Sequence, residues 1–334
     1  MVPETPGRFL LKVVVAGGAG LIGSHLCARL LRDDHTVWCV DNLLTGSQRN
    51  IESLKSNAHF HFIEHDVTLP LELGTTIDAV FQLASPASPV GYWTHPFETI
   101  RANSEGTWKL LDLARASGSK FLMASTSEAY GDPLVHPQTE DYWGNVNPVG
   151  VRSCYDESKR LGETITMEFY RQYAVDARIV RIFNTYGPHS QLNDGRMIPS
   201  FILWALANDP ITIHGTGEQT RSICYVEDLV EGLIRAMFTN GTTGEVFNLG
   251  NPEEHTILEW AQTIIELCGS KSALVFEQKR EDDPERRRPD ISKAQRVLGW
   301  EPKIDPKTGL TWTIEWFRRE CERSNERLNA NVNG

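Results

Sequence analysis

With 334 residues and 40% hydrophobic content, the chain can build a full core, and its length suits about two domains of ~100–200 residues. Its net charge of −11, with acids and bases interspersed, excludes broad nucleic-acid binding and adhesion to an anionic membrane, which need a basic face, but leaves room for a local basic pocket. No apolar run reaches the ~18 residues that span a bilayer. Residues 1–9 are polar and proline-rich rather than secretory, and six scattered cysteines without a CxxC pair read as reduced thiols; a cytoplasmic protein is expected. His59 and His61 form an HxH that strand alternation explains, so no metal site is expected.

In chain order, residues 10–16 are short, β-branched and nearly all apolar, as in a strand buried on both faces. A glycine-rich turn and a helical pattern from Leu21 to Leu31 follow, then a strand at Thr36–Val40. Strands at 60–64, 79–83, 121–124 and 177–181 continue the series, with helices around 97–117 and 153–173. This alternation predicts an α/β fold: a doubly wound parallel sheet of the Rossmann kind, with ligands at the carboxyl ends of the strands. After about 185 the rhythm breaks, with helices near 197–208, 256–268 and 308–325, a strand at 246–249, and a charged loop at 278–290. The expected division is a Rossmann domain from 1–185 plus 224–250, a smaller, discontinuous α/β domain for substrate from 186–223 plus 251–325, and a tail at 326–334. The asparagine-rich end from 324 is expected to fray.

Gly17-Gly18-Ala19-Gly20-Leu21-Ile22-Gly23 joins the first strand to the first helix. Glycine there lets the backbone turn tightly and approach a pyrophosphate seated on the helix N-terminus. Asp41 ends the second strand, where a carboxylate can accept from both ribose hydroxyls and repel a 2′-phosphate; Asn42 follows it rather than an arginine. NAD is therefore the expected cofactor. Asp66 and Val67 are placed to meet the adenine, and Leu83, which ends the fourth strand, and Ala84 after it are expected to bind the cofactor as well.

Tyr155 and Lys159 are i and i+4 and share a helix face. A tyrosine with a pKa of ~10 becomes a usable base beside an ammonium and a cationic nicotinamide. Thr126 at the end of strand five would share the reacting hydroxyl with Tyr155. Together with the glycine loop these residues describe a site that moves hydride.

The segments LASPASP (83–89), STSEAYGDP (125–133), HPQTEDYWGNVNPVG (136–150), RIFNTYGP (181–188), NDGR (193–196), QTRSICYVEDLV (219–230), NLGNPEEHTILE (248–259) and DDPERRRPDI (282–291) carry a resemblance over 12–317. The chain resembles the extended short-chain dehydrogenase/reductases that modify nucleotide sugars, and within them the UDP-glucuronate decarboxylases. In 4,6-dehydratases of this group an Asp-Glu pair stands where this chain has Thr126-Ser127-Glu128, and 4-epimerases carry no acid there.

The resemblance implies C4 oxidation of a UDP-sugar by bound NAD, loss of CO2 from the resulting β-keto acid, and return of the hydride. It implies Tyr155, Lys159, Thr126, Ser127 and Glu128 as the catalytic set. Asn184, Arg221, Arg287 and Glu128 are implied as substrate contacts, with Arg287 rather than Arg286 or Arg288 turned inward. An ionised Glu128 would repel the sugar carboxylate, so its pKa is expected to rise; electrostatic expulsion and proton delivery both remain open for it. A homodimer through the helices at 97–117 and 153–173 is implied as well, with Trp108 and Phe169 able to face either a partner or the sheet. The rivals are an oxidative decarboxylase that stops at the 4-keto pentose, a 4-epimerase or 4,6-dehydratase, and a non-catalytic NAD-sensing protein; the last would be expected to lack Tyr155 or Lys159.

Overall fold

The computed structural model describes residues 10–278 and 286–332, with side chains to 323. Residues 279–285 of the expected charged loop, the first nine residues and the last two lie outside the described residues. The first half runs β1 (Lys12–Ala16), α1 (Leu21–Arg32), β2 (Thr36–Asp41), β3 (Phe60–Glu64), β4 (Ala79–Gln82), α2 (Pro89–Thr94), α3 (Pro96–Arg101), α4 (Thr107–Ser117), β5 (Lys120–Thr126), α5 (Ser153–Tyr173) and β6 (Ala177–Ile182). The second half runs β7 (Thr185–Tyr186), α6 (Met197–Ala207), β8 (Ile211–His214), β9 (Thr220–Ser222), β10 (Cys224–Tyr225), α7 (Val226–Phe238), β11 (Val246–Leu249), β12 (Glu254–Thr256), α8 (Ile257–Cys268), β13 (Leu274–Glu277), β14 (Arg286–Arg287), α9 (Ser292–Leu298) and α10 (Pro306–Val332).

Seven of these strands form one parallel sheet in the order β11-β6-β5-β4-β1-β2-β3. The alternation of β1 decides its two faces. Val13 and Val15 enter one apolar cluster with Leu26 and Leu30 of α1, while Val14 and Ala16 enter another with Leu110 and Leu111 of α4. All four strand residues are fully buried, and each such side chain contributes about 1.5–3 kcal/mol where it is Val-sized. The first cluster continues without a break into the second half of the chain, through Ile198, Phe201, Trp260, Trp300 and Phe317. That shared core fixes the second half against the sheet.

The chain leaves β1 toward β2 and β3, then returns to the other side of β1 with β4. This reversal opens a crevice between β1 and β4, the place where doubly wound sheets bind ligands. Three elements differ from the sequence reading, the first being the expected charged loop at 278–290, which holds the short strand β14. The helix expected at 97–117 is divided into α3 and α4 by a π-helical turn at Ala102–Gly106; there the Gly106 Cα lies against Val67, and a Cβ would stand 2.7 Å from its methyl. The end expected to fray from 324 is backbone helix to Val332. All six cysteines are free, and among the described residues no helix is long and apolar enough to cross a membrane.

Candidate active site

One cavity of about 470 Å³ opens at the carboxyl ends of the strands. The residues singled out from the sequence as catalytic, cofactor-binding or substrate-binding line it: Gly17 and Gly20 to Gly23 of the glycine loop, Asp41 and Asn42, Asp66 and Val67, Leu83 and Ala84, Thr126 to Glu128, Tyr155, Lys159, Asn184, Arg221 and Arg287.

At its nucleotide end the chain makes room by lacking side chains. Gly17 has φ +77°, and a Cβ on it would lie 2.7 Å from the Ala84 nitrogen, so the loop after β1 presses on the loop after β4. A Cβ on Gly23 would lie 2.1 Å from the Gly17 oxygen, which binds α1 closely to the turn. At Gly20 a Cβ meets nothing closer than 3.3 Å, so the space before the helix N-terminus stays open for an incoming phosphate. Asp41 is held from below: its Oδ2 accepts from the Ala19 N–H (3.0 Å) and its Oδ1 from the Leu43 N–H (2.9 Å). Burial pushes its carboxyl up, although both N–H donors oppose that. Asp66 accepts from the Thr68 N–H and hydroxyl. A cradle with an open helix start and a fixed carboxylate at the end of β2 fits a dinucleotide.

The middle of the cleft carries the hydride residues. Tyr155 and Lys159 sit in the first turns of α5, both buried. Thr126 lies beside the Tyr155 hydroxyl and favours its phenolate. The Thr126 Oγ1 also accepts from the Glu128 N–H at 3.2 Å and caps the 3-10 turn Ser127–Tyr130. Thus one threonine stands beside both the tyrosine and the acid. Lys159 Nζ donates to the Ala124 carbonyl at 2.8 Å. Burial pushes the Tyr155 hydroxyl up to about 12, opposed by Thr126, and pushes Lys159 down to about 7, opposed by Glu163. The sequence reading expected the lysine to favour the phenolate; in the protein by itself burial wins. Tyr92 stacks on Tyr155 with ring centroids 5.3 Å apart.

The far end holds charge. Arg287 grips Glu128 with two parallel bonds, 2.6 Å to Oε1 and 2.8 Å to Oε2. Arg152, the N-cap of α5, reaches Oε1 as well, at 2.6 Å. Arg287 is the inward-facing member of its triplet, at 5% exposure, whereas the side chain of Arg286 is 60% exposed. The expected rise of the Glu128 pKa is wrong. Burial does push the carboxyl up, but Arg287 and Arg152, with Arg221 behind them, outweigh it and hold Glu128 at about 2. In the protein by itself the two arginines therefore hold the glutamate in its ionised form. Arg221 in β9 lies in parallel register with Arg287 in β14, so their backbones run side by side. Asn184 sits just past β6, with its carbonyl accepting from the Cys224 N–H.

Arg152 was not found from the sequence, though a signal existed. A cation at a helix N-terminus opposes the helix dipole, so an arginine just before Ser153 calls for a nearby carboxylate. Asp156 was also passed over. Burial and the charge of Glu128 push it up to about 7, with Arg152 opposing, and its buried Oδ1 has no hydrogen-bond partner.

The model of a family described as "NAD dependent epimerase/dehydratase family" matches residues 13–250. The chain belongs to that family. NAD is the family's cofactor, and the cradle described above suits it. Among relatives in the family, the UDP-glucuronic acid decarboxylase 1 of Danio rerio is 49% identical over 311 residues, covering 93% of this chain and 73% of its own length. The UDP-glucuronic acid decarboxylase 2 of Arabidopsis thaliana is 50% identical over 309 residues, covering 92% of this chain and 68% of its own. Among solved structures, an epimerase from Methanothermobacter thermautotrophicus superposes with TM-score 0.87 at 29% identity, covering 96% of this chain and 95% of that one. The UDP-glucuronic acid 4-epimerase of Bacillus cereus, in complex with UDP-glucuronic acid and NAD, superposes with TM-score 0.83 at 28% identity, covering 92% and 99%.

Proposed function

We propose that this chain converts UDP-glucuronate to UDP-xylose and CO2. The observation that carries the reading is the meeting, within one cleft, of Tyr155 and Thr126 with a glutamate clasped by two arginines. The identity with two UDP-glucuronic acid decarboxylases over more than nine-tenths of the chain supports it. Residues 186–223 and 251–325 serve as the substrate portion, and 1–185 with 224–250 as the cofactor portion.

When bound, NAD takes up a hydride from the sugar C4 and later returns it, so no external redox partner is needed. The chain's own residues handle protons and charge. Tyr155 and Thr126 share the C4 hydroxyl proton as that carbon becomes a ketone, and Tyr155 gives it back at the end. Lys159, fixed by the Ala124 carbonyl, holds the cofactor's ribose and supplies positive charge near the tyrosine. With the C4 ketone β to the C5 carboxylate, the C5–carboxyl bond breaks, CO2 leaves, and the electron pair is held as an enolate that is protonated at C5.

Glu128, Arg287 and Arg152 tune that step electrostatically. Two guanidiniums against one ionised carboxylate leave one net positive charge, which matches a single incoming sugar carboxylate. The ionised Glu128 also crowds that carboxylate with like charge, a strain relieved as neutral CO2 departs. Ser127 lies in the same buried turn, and Asn184 and Arg221 face the sugar and diphosphate.

Incubating purified protein with UDP-glucuronate and following CO2 and sugar product by NMR tests the reading. The expected result is UDP-xylose without net NADH. A 4-keto pentose with stoichiometric NADH would indicate the oxidative variant, and absence of CO2 would reject both. The chain is further proposed to act in the cytoplasm as a homodimer. Phe97 on α3, Trp108 on α4 and Leu161 and Tyr173 on α5 are exposed apolar side chains, whereas Phe169 is buried and belongs to the core. Sedimentation showing a monomer at micromolar concentration would refute the dimer.

A further inference from the structure

Arg287 is the middle one of three consecutive arginines, so a slip of one residue would offer Glu128 a different side chain or none. Something must fix the register of residues 286–290. On one side that segment pairs with β9, Arg286 opposite Thr220 and Arg287 opposite Arg221. On the other side its backbone bridges to Gln138, which is fully buried.

Gln138 holds the segment at three points. Its N–H donates to the Arg288 carbonyl (2.9 Å), its carbonyl accepts from the Asp290 N–H (2.8 Å), and its side-chain oxygen accepts from the Arg288 N–H (2.9 Å). Its side-chain amide donates in turn to the Val135 carbonyl at 2.8 Å, which locks the rotamer. Asn248 closes the arrangement by donating to the carbonyls of Gln138 (3.0 Å) and Asp290 (3.3 Å). The backbone bonds alone would allow any residue at 138. The side-chain oxygen is different: it satisfies the N–H immediately after Arg287, on the arginine that would replace it in a slipped register. A buried N–H left unpaired costs about 1–3 kcal/mol, enough to loosen the one geometry that gives Arg287 two bonds to Glu128.

We infer that Gln138 is a positioning residue for the reaction: its side chain sets the register of residues 286–290 and so delivers Arg287 to Glu128. This rests on the decarboxylase reading, in which Arg287 acts on the sugar carboxylate.

The test uses the full chain with NAD. Gln138→Met keeps the volume but removes both polar ends; Gln138→Asn keeps an amide that falls one methylene short of the Arg288 N–H. In both, CO2 release from UDP-glucuronate is expected to fall about ten- to a hundredfold in kcat, the effect of a small misplacement of a reacting group. Affinity for UDP-xylose, which lacks the carboxylate, and the content of bound NAD are expected to stay at wild-type levels. Adding Gln138→Met to Arg287→Ala is expected to slow the reaction no further. Wild-type CO2 release in the Gln138 variants, a parallel loss of UDP-xylose affinity and NAD, or additivity with Arg287→Ala would each overturn the inference. Should Gln138→Met not fold, Gln138→Asn decides by the same comparison. Normal CO2 release by Arg287→Ala would instead remove the proposed role of Arg287 itself, whereas a slow Arg287→Ala beside normal Gln138 variants removes only the clamp.

Discussion

The two ends of the cleft are built on opposite plans. The nucleotide end is made of contiguous backbone: Gly17 to Gly20 form one turn, Gly23 follows in the first turn of α1, and the absence of side chains at these glycines does the shaping. The charged end is assembled from segments far apart in the chain, with Glu128 after β5, Arg152 before α5 and Arg287 in β14, and its side chains do the shaping. The first kind of site tolerates little local change but depends on few distant contacts. The second depends on long-range register and on a balance of charges that no single segment contains.

The contrast predicts separable losses. Gly23→Ala should have the largest effect, because its Cβ would overlap the Gly17 oxygen at 2.1 Å and neither backbone can yield cheaply. The protein is expected to purify without NAD and to release no CO2, as read by the nucleotide released on denaturation and by NMR. Wild-type NAD content in this variant would mean that the turn is not the cofactor cradle.

Glu128→Gln should do the reverse, with NAD retained and CO2 release slowed about 10²–10³-fold, the range for losing a preorganised electrostatic group. It leaves Arg287 and Arg152 facing each other without their shared anion. Unchanged CO2 release would end the catalytic assignment of Glu128. Arg152→Met comes next. Arg287 keeps both of its bonds to Glu128, so the loss should be roughly tenfold, equivalent to about 1.4 kcal/mol of barrier. The Michaelis constant for UDP-glucuronate should rise while the dissociation constant of NAD stays unchanged. A loss as deep as that of Arg287→Ala would show that the two arginines are not graded in this way.

How much could be read in the sequence follows the same division. The turn at 17–23 carries its own signature, since strand, glycine spacing and helix occur in one stretch, and Asp41 closes the next strand. Arg287 was chosen from its triplet by family resemblance, not by physics: three adjacent arginines look alike until β9 and Gln138 impose a register. The pKa of Glu128 is expected from the sequence to rise because the sugar carboxylate would repel it, and only the structure brings in two arginines from 24 and 159 positions away (152 − 128 and 287 − 128) that lower it. The division of the helix at 97–117 was invisible because the packing of Gly106 against Val67, which accompanies its π turn, is a contact between distant segments.

The smallest effect should sharpen the comparison most, because it concerns two buried carboxylates that feel each other's charge and shift in opposite directions. Glu128 is held at about 2, below its ordinary 4.5, so the stability it contributes is fully present above pH 4.5 and is lost as pH falls through 2. Asp156 is pushed up to about 7 from 3.8, by burial and by the charge of Glu128. Between those values the folded chain holds a proton at Asp156 that the unfolded chain has released, so stability declines as pH rises, at up to about 1.4 kcal/mol per pH unit, and levels off above 7. Asp156→Asn removes that decline. Its gain in Tm over wild type should be near zero at pH 4, grow between pH 4 and 7, and stay constant from pH 7 to 9. In the Glu128→Gln background the negative neighbour is gone, so the same substitution should gain less. An equal gain in both backgrounds would mean that burial alone sets Asp156, and that the two carboxylates do not share one field.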